Sequence, residues 1–176
     1  MDNPFSPLLV SPTDLYAPSC VPQDIPLSMV AGTQYTFKIQ SRDFYSNNMN
    51  LLLDDAIGDD FLITYAGPET VQAALVDDAS PGVFRVEVTL TITGEYTLTV
   101  LLKGLQVPTQ LSANAITVTP KQETSPQTTG FTGAQPSYFT GQYVEIIITS
   151  RDEFSNLRFS TDDTFTMELT SQNADD

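Results

Sequence analysis

Residues 41–47 read Ser-Arg-Asp-Phe-Tyr-Ser-Asn, and residues 150–156 read Ser-Arg-Asp-Glu-Phe-Ser-Asn. Arg42 and Arg151 lie 109 positions apart, and the same offset pairs Gly32 with Gly141, Ile39 with Ile148 and Ser28 with Ser137. A period this long exceeds that of the common solenoid repeats and equals a whole small domain. The chain therefore reads as a tandem array. Leu-Leu-Val-Ser-Pro at 8–12 and Ile-Thr-Val-Thr-Pro at 116–120 place the unit boundaries after Pro12 and Pro120. Residues 1–12 are then expected to be the last strand of a preceding repeat, 13–120 one complete repeat, and 121–176 the N-terminal half of another.

Within the complete repeat the apolar residues alternate. Tyr35, Phe37 and Ile39 interleave with Thr36, Lys38 and Gln40. Phe84, Val86, Val88 and Leu90 interleave with Arg85, Glu87 and Thr89, and Tyr96, Leu98, Val100 and Leu102 continue the pattern. Period two fits strands with one buried and one wet face. Turn signals separate the runs: Ala31-Gly32, Gly67-Pro68, Ser80-Pro81-Gly82, Thr93-Gly94 and Lys103-Gly104. Seven strands are expected, over 14–17, 33–41, 60–66, 70–76, 83–91, 95–102 and 113–119. Seven short antiparallel strands in about 100 residues make an all-β, immunoglobulin-like sandwich, here in tandem. With no Trp and a single cysteine, Cys20, the antibody subtype is excluded.

The order of these elements resembles the filamin-type immunoglobulin-like repeat. Val30-Ala31-Gly32 looks like the entry to its second strand. Arg42-Asp43 with Asn47 looks like the turn that follows, Ser46 standing where Gly is usual. Gly58-Asp59-Asp60-Phe61 and Tyr65-Ala66-Gly67-Pro68 look like its third strand and exit, Gly82–Val86 and Gly94–Leu98 like its fifth and sixth strands, and Gly104–Pro108 like the lead into its last. Ser112-Ala113-Asn114 departs from the Ser-Pro-Phe of that last loop. The resemblance implies a non-enzymatic spacer in a long rod. It also implies an edge, between the third and fourth strands, at which some repeats bind partner peptides. Val71, Ala73 and Leu75 are the candidate residues of that edge, in a stretch with no charge and free backbone groups.

Twenty-two acidic against seven basic residues give a net charge of −15. That balance argues against nucleic acid and against an anionic membrane surface, and no apolar run is long enough to span a bilayer. The chain has no histidine, so histidine-based triads and the commonest zinc ligand are missing. The expectation is therefore no catalysis and no cofactor. The doublets Asp54-Asp55, Asp59-Asp60, Asp77-Asp78 and Asp162-Asp163 read as solvated loop acids or, more sharply, as oxygen donors for calcium. Arg42, Asp43 and Asn47, with Arg151, Asp152 and Asn156, read as a structural turn, the aspartate accepting backbone N–H bonds and the arginine lying over the sheet.

In the half-repeat, strands are expected over 123–127, 143–150 and 164–170. The set Val144, Ile146, Ile148, Phe165 and Met167 would then face a second sheet. The partners expected are other repeats of the same or neighbouring chains, and a peptide at a sheet edge. Scarce Lys and abundant Thr favour a cell-surface or extracellular filament and the filamin resemblance favours the cytoskeleton; the balance falls toward the cell-surface or extracellular filament.

Overall fold

The alternation of residues 34–40 and 83–89 builds the centre of one sheet. In the computed structural model, which describes residues 12–50, 60–109, 111, 115–139, 141–160 and 162–168, β3 (Gln34–Gln40) and β7 (Val83–Thr89) pair antiparallel along their full length, Phe37 opposite Val86 and Ile39 opposite Phe84. β1 (Val21–Gln23) adds to β3, and β6 (Ala74–Asp77) adds to β7, giving the order β1-β3-β7-β6. The second sheet is ordered β2-β10-β8-β4-β5, from β2 (Ser28–Val30), β4 (Phe61–Ala66), β5 (Thr70–Gln72), β8 (Gly94–Leu102) and β10 (Ala115–Thr119). β2 runs parallel to β10, and the other pairs are antiparallel. β9 (Leu105–Gln106) folds back on β8 through Lys103-Gly104, whose φ values of 51° and 78° are those of a tight two-residue hairpin.

The result is an immunoglobulin-like β-sandwich. Phe37, Ile39, Phe84, Val86 and Val88 of the first sheet are buried, as are Ile63, Tyr65, Tyr96, Leu98, Val100, Ile116 and Val118 of the second. Between β7 and β8 the Tyr96 hydroxyl donates to the Ile92 carbonyl at 2.8 Å. This is the tyrosine corner that pins this fold's crossing from one sheet to the other. Burial and the neighbouring Glu69 carboxylate push the Tyr96 phenol up to about 12.

The first expected strand does not form. Leu15 makes only an isolated bridge to Asp43, and Ala17–Ser19 is a 3-10 turn begun at Pro18, whose fixed φ and missing N–H suit a turn better than a ladder. Pairing starts later, at β1, and the chain then switches sheets to β2. The expected strand over 70–76 is also two strands. β5 pairs with β4 in one sheet and β6 pairs with β7 in the other, the break falling at Ala73. Residues 1–12, read as the end of a preceding repeat, lie outside the described residues up to Ser11, as do 113–114 of the last expected strand.

Tyr65 illustrates a cost in this core. It is fully buried, and its hydroxyl has no hydrogen-bond partner among the described residues. Burial alone drives its pKa upward. An unpaired buried hydroxyl is destabilising by about 1–3 kcal/mol. Tyr65→Phe is therefore expected to stabilise the protein by about 1 kcal/mol in urea unfolding; a comparable loss would show that the hydroxyl is paired.

The chain divides into two units, Met1–Pro120 and Lys121–Asp176. In the second, β11 (Gly130–Thr132) pairs antiparallel with β12 (Ile147–Thr149). The register reproduces unit 1: Gly130 opposite Thr149, Phe131 opposite Ile148 and Thr132 opposite Ile147 repeat Val21–Gln40, Pro22–Ile39 and Gln23–Lys38, each 109 residues on. Residues 123–127 are a turn instead of the expected strand, with Thr128 and Thr129 N–H donating to Ser125. The strand expected over 143–150 shrinks to β12, and the one expected over 164–170 does not form in 164–168.

Candidate functional site

The Arg-Asp turn has the same bonds in both units. Asp43 is buried; its Oδ1 accepts the N–H of Tyr45 at 2.9 Å and of Asn47 at 2.8 Å, and its Oδ2 accepts the Asn47 side-chain amide at 3.0 Å. Asp152, also buried, accepts Phe154 N–H at 3.0 Å, Asn156 N–H at 2.9 Å and the Asn156 amide at 2.9 Å. The serines that stand in place of glycine take left-handed backbone, φ 65° at Ser46 and 69° at Ser155. The arginines bond to the turn itself, not across the sheet: Arg42 Nε donates to Asn48 Oδ1 at 3.1 Å, and Arg151 Nη1 to the Ser155 carbonyl at 2.6 Å.

One bond reaches outside the turn. Asp43 Oδ2 accepts the backbone N–H of Thr13 at 3.1 Å, and Asp152 Oδ2 that of Lys121 at 3.0 Å. Each aspartate thus grips the residue that directly follows a proline, Thr13 after Pro12 and Lys121 after Pro120. Lys121 is held further by Glu153, 2.8 Å from its Nζ, and by Arg158 Nε, which donates to its carbonyl at 3.1 Å. Burial pushes both carboxyls up, but hydrogen bonds from the Asn side chain and the backbone amides outweigh it, and both end below the ordinary 3.8. Sequence reasoning located the turn and missed the clamp. Its only trace in the sequence is the spacing from Pro12 to Asp43 and from Pro120 to Asp152.

The candidate edge residues are divided by the sheet switch. Val71 sits in β5 opposite Tyr65, Leu75 sits in β6 opposite Val86, and Ala73 N–H donates to the Ile63 carbonyl between them at 3.0 Å. β5 and β6 are each the last strand of a sheet, and all three residues are half-buried. They do not line one continuous edge.

Of the acidic doublets, Asp54, Asp55 and Asp59 lie outside the described residues. Asp60 pairs with Lys103 at 3.2 Å and Asp78 with Lys38 at 2.7 Å. Asp163 is bonded to Arg158, to Ser150 at 2.6 Å and to Thr124 at 2.5 Å. Among the described residues no three His, Cys, Asp or Glu converge on a common point. Cys20 is buried, which pushes its thiol up and away from reactivity. No helix among the described residues is long and apolar enough to cross a membrane.

No protein-family model matches the sequence, and no curated protein matches it. Among solved structures, the Escherichia coli adhesin FdeC is similar over 83% of this chain at 17% identity and a TM-score of 0.54. The bacterial integrin-binding protein invasin is similar over 84% at 16% identity and a TM-score of 0.50. The filamin domain of Lin-41 matches 62% of this chain and 98% of its own length, at 19% identity and a TM-score of 0.46. This chain spans 44% of the FdeC structure and 29% of the invasin structure. The likeness is one of immunoglobulin-like fold.

Proposed function

We propose that the chain is a stretch of tandem repeats, part of a rod or filament that spaces or cross-links other components, with no chemistry of its own. In this reading residues 1–12 end one repeat, 13–120 form the next, and 121–176 begin a third. The observation that carries it is the recurrence of the aspartate turn: 109 residues on, Asp152 repeats the bonds of Asp43 to its asparagine and to the N–H near the start of its unit. A spacer is built by repeating one fold, and the same buried turn in both units is what such repetition leaves. Asp152→Ala removes the clamp without touching the core of unit 1. Amide exchange is expected to speed about tenfold at Lys121 and Asn156 and to stay unchanged at Thr13 and Asn47. Unchanged exchange at Lys121 would mean that the turn does not order the start of a second repeat.

A cell-surface setting is supported by the shared fold of an adhesin and an integrin-binding protein, and by a surface rich in hydroxyls and poor in Lys. A second reading, peptide recognition by strand addition, is favoured by β6, which is short, terminal in its sheet and free of the lysines that commonly guard edges. Leu75→Pro would block it by removing a backbone donor that, by the alternation from the Asp78–Val83 bond, points away from β7. If a panel of extended peptides binds the variant and the unmodified chain equally, this edge is not the site.

A further inference from the structure

In unit 2 an open groove of about 450 Å³ is lined by Phe131, Tyr138, Ile146, Ile148, Phe165 and Met167. Ile146 and Ile148 stand 109 residues after Phe37 and Ile39 of β3. Those two are 2% and 0% exposed, whereas Ile148 is 41%, Phe165 44% and Met167 61% exposed. The ladder on one side of β12 is the same, residue for residue, as the ladder on one side of β3. The other side of β3 carries β7, and the sheet opposite it carries β8 beside β4. Among the described residues the other side of β12 has no partner strand.

We infer that this groove is the seat of a two-strand segment of the β7–β8 kind, which crosses from one sheet to the other in the second half of a like repeat. Its first strand adds antiparallel to the free side of β12. Its second lies across the groove beside residues 164–168, which follow the Asp152 turn as β4 follows the Asp43 turn in unit 1. The occupant's chemistry follows from what does the same task in unit 1: inward residues alternating and apolar, as Phe84, Val86 and Val88, and then Tyr96, Leu98 and Val100. The interface proposed is therefore the counterpart, within unit 2, of the inter-sheet interface within unit 1. The inference rests on the tandem-repeat reading.

The test extends the full chain, after Asp176, with a second copy of residues 70–120, so that the supplied strands are this protein's own. Amide exchange at 147–149 is expected to slow at least tenfold relative to the unextended chain. Ile148→Asp in the extended chain should cancel that gain and leave β3 and β8 of unit 1 unaltered. Two results overturn the inference. One is exchange at 147–149 unchanged by the extension. The other is an unextended chain that sediments as a dimer with these amides already as protected as 38–40, which would give the groove to a second copy. Neither result bears on exchange at Lys121 in Asp152→Ala, so failure here is separable from failure of the tandem-repeat reading.

Discussion

Replacing Phe84 by alanine lowers the unfolding free energy of unit 1 by about 3–5 kcal/mol, the usual range for emptying a buried aromatic site. Phe84 is fully buried on β7, between Ile39 on one side and Asp77 of β6 on the other, and its ring meets that of Phe61 edge-on at 5.8 Å. Phe61 belongs to the opposite sheet, so this contact helps join the two layers. Neighbouring strands are held in ladders on both sides and cannot collapse into the hole, which places the loss toward the upper part of the range. Urea denaturation of the variant measures it. A loss under about 1 kcal/mol would mean that the inward face of β7 is not core.

Gly82→Ala is the second large effect, and its cause is the backbone. Gly82 has φ of 76°, and a Cβ there would sit 1.9 Å from the Met49 carbonyl oxygen and 2.7 Å from its carbon. Both are main-chain atoms and cannot rotate away. The Gly82 carbonyl also accepts bonds from Ser41 N–H at 2.9 Å, Ser41 Oγ at 2.7 Å and Gln40 Nε2 at 3.1 Å. Relieving the clash therefore breaks the tie between the start of β7 and the strand that feeds the Asp43 turn. The substitution should cost on the order of 3 kcal/mol. Thermal unfolding followed by near-UV circular dichroism reads the loss, and a variant within experimental error of the parent would contradict the close approach.

The long strands were legible because one face is dry and the other wet. Phe37 and Ile39, Phe84 to Val88, and Tyr96 to Val100 show that alternation directly, and their burial matches it. β1 and β2 were not legible. Three residues are too few to show a period, and Pro18, Pro22 and Pro26 interrupt the stretch that holds them. The alternation through Val71, Ala73 and Leu75 continues across the sheet switch, because a residue passing between two sheets keeps its inward face. Period alone therefore reads one strand where there are two. The Asp43 turn was visible through its recurrence at Asp152. The bonds to Thr13 and Lys121 were not, since a backbone N–H has no side-chain signature. The Tyr96 corner had a signal, a tyrosine two residues into the strand after the Thr93-Gly94 turn, which alternation had already assigned to the core.

The central claim is that unit 2 opens as unit 1 does, with a residue whose backbone N–H is held by a buried aspartate of its own unit. Amide exchange on the full chain tests it most directly. The account predicts slow exchange at Thr13, Asn47, Lys121 and Asn156, with Asp43→Ala freeing only the first two and Asp152→Ala only the last two. Fast exchange at Lys121 and Asn156 in the unmodified chain would contradict it.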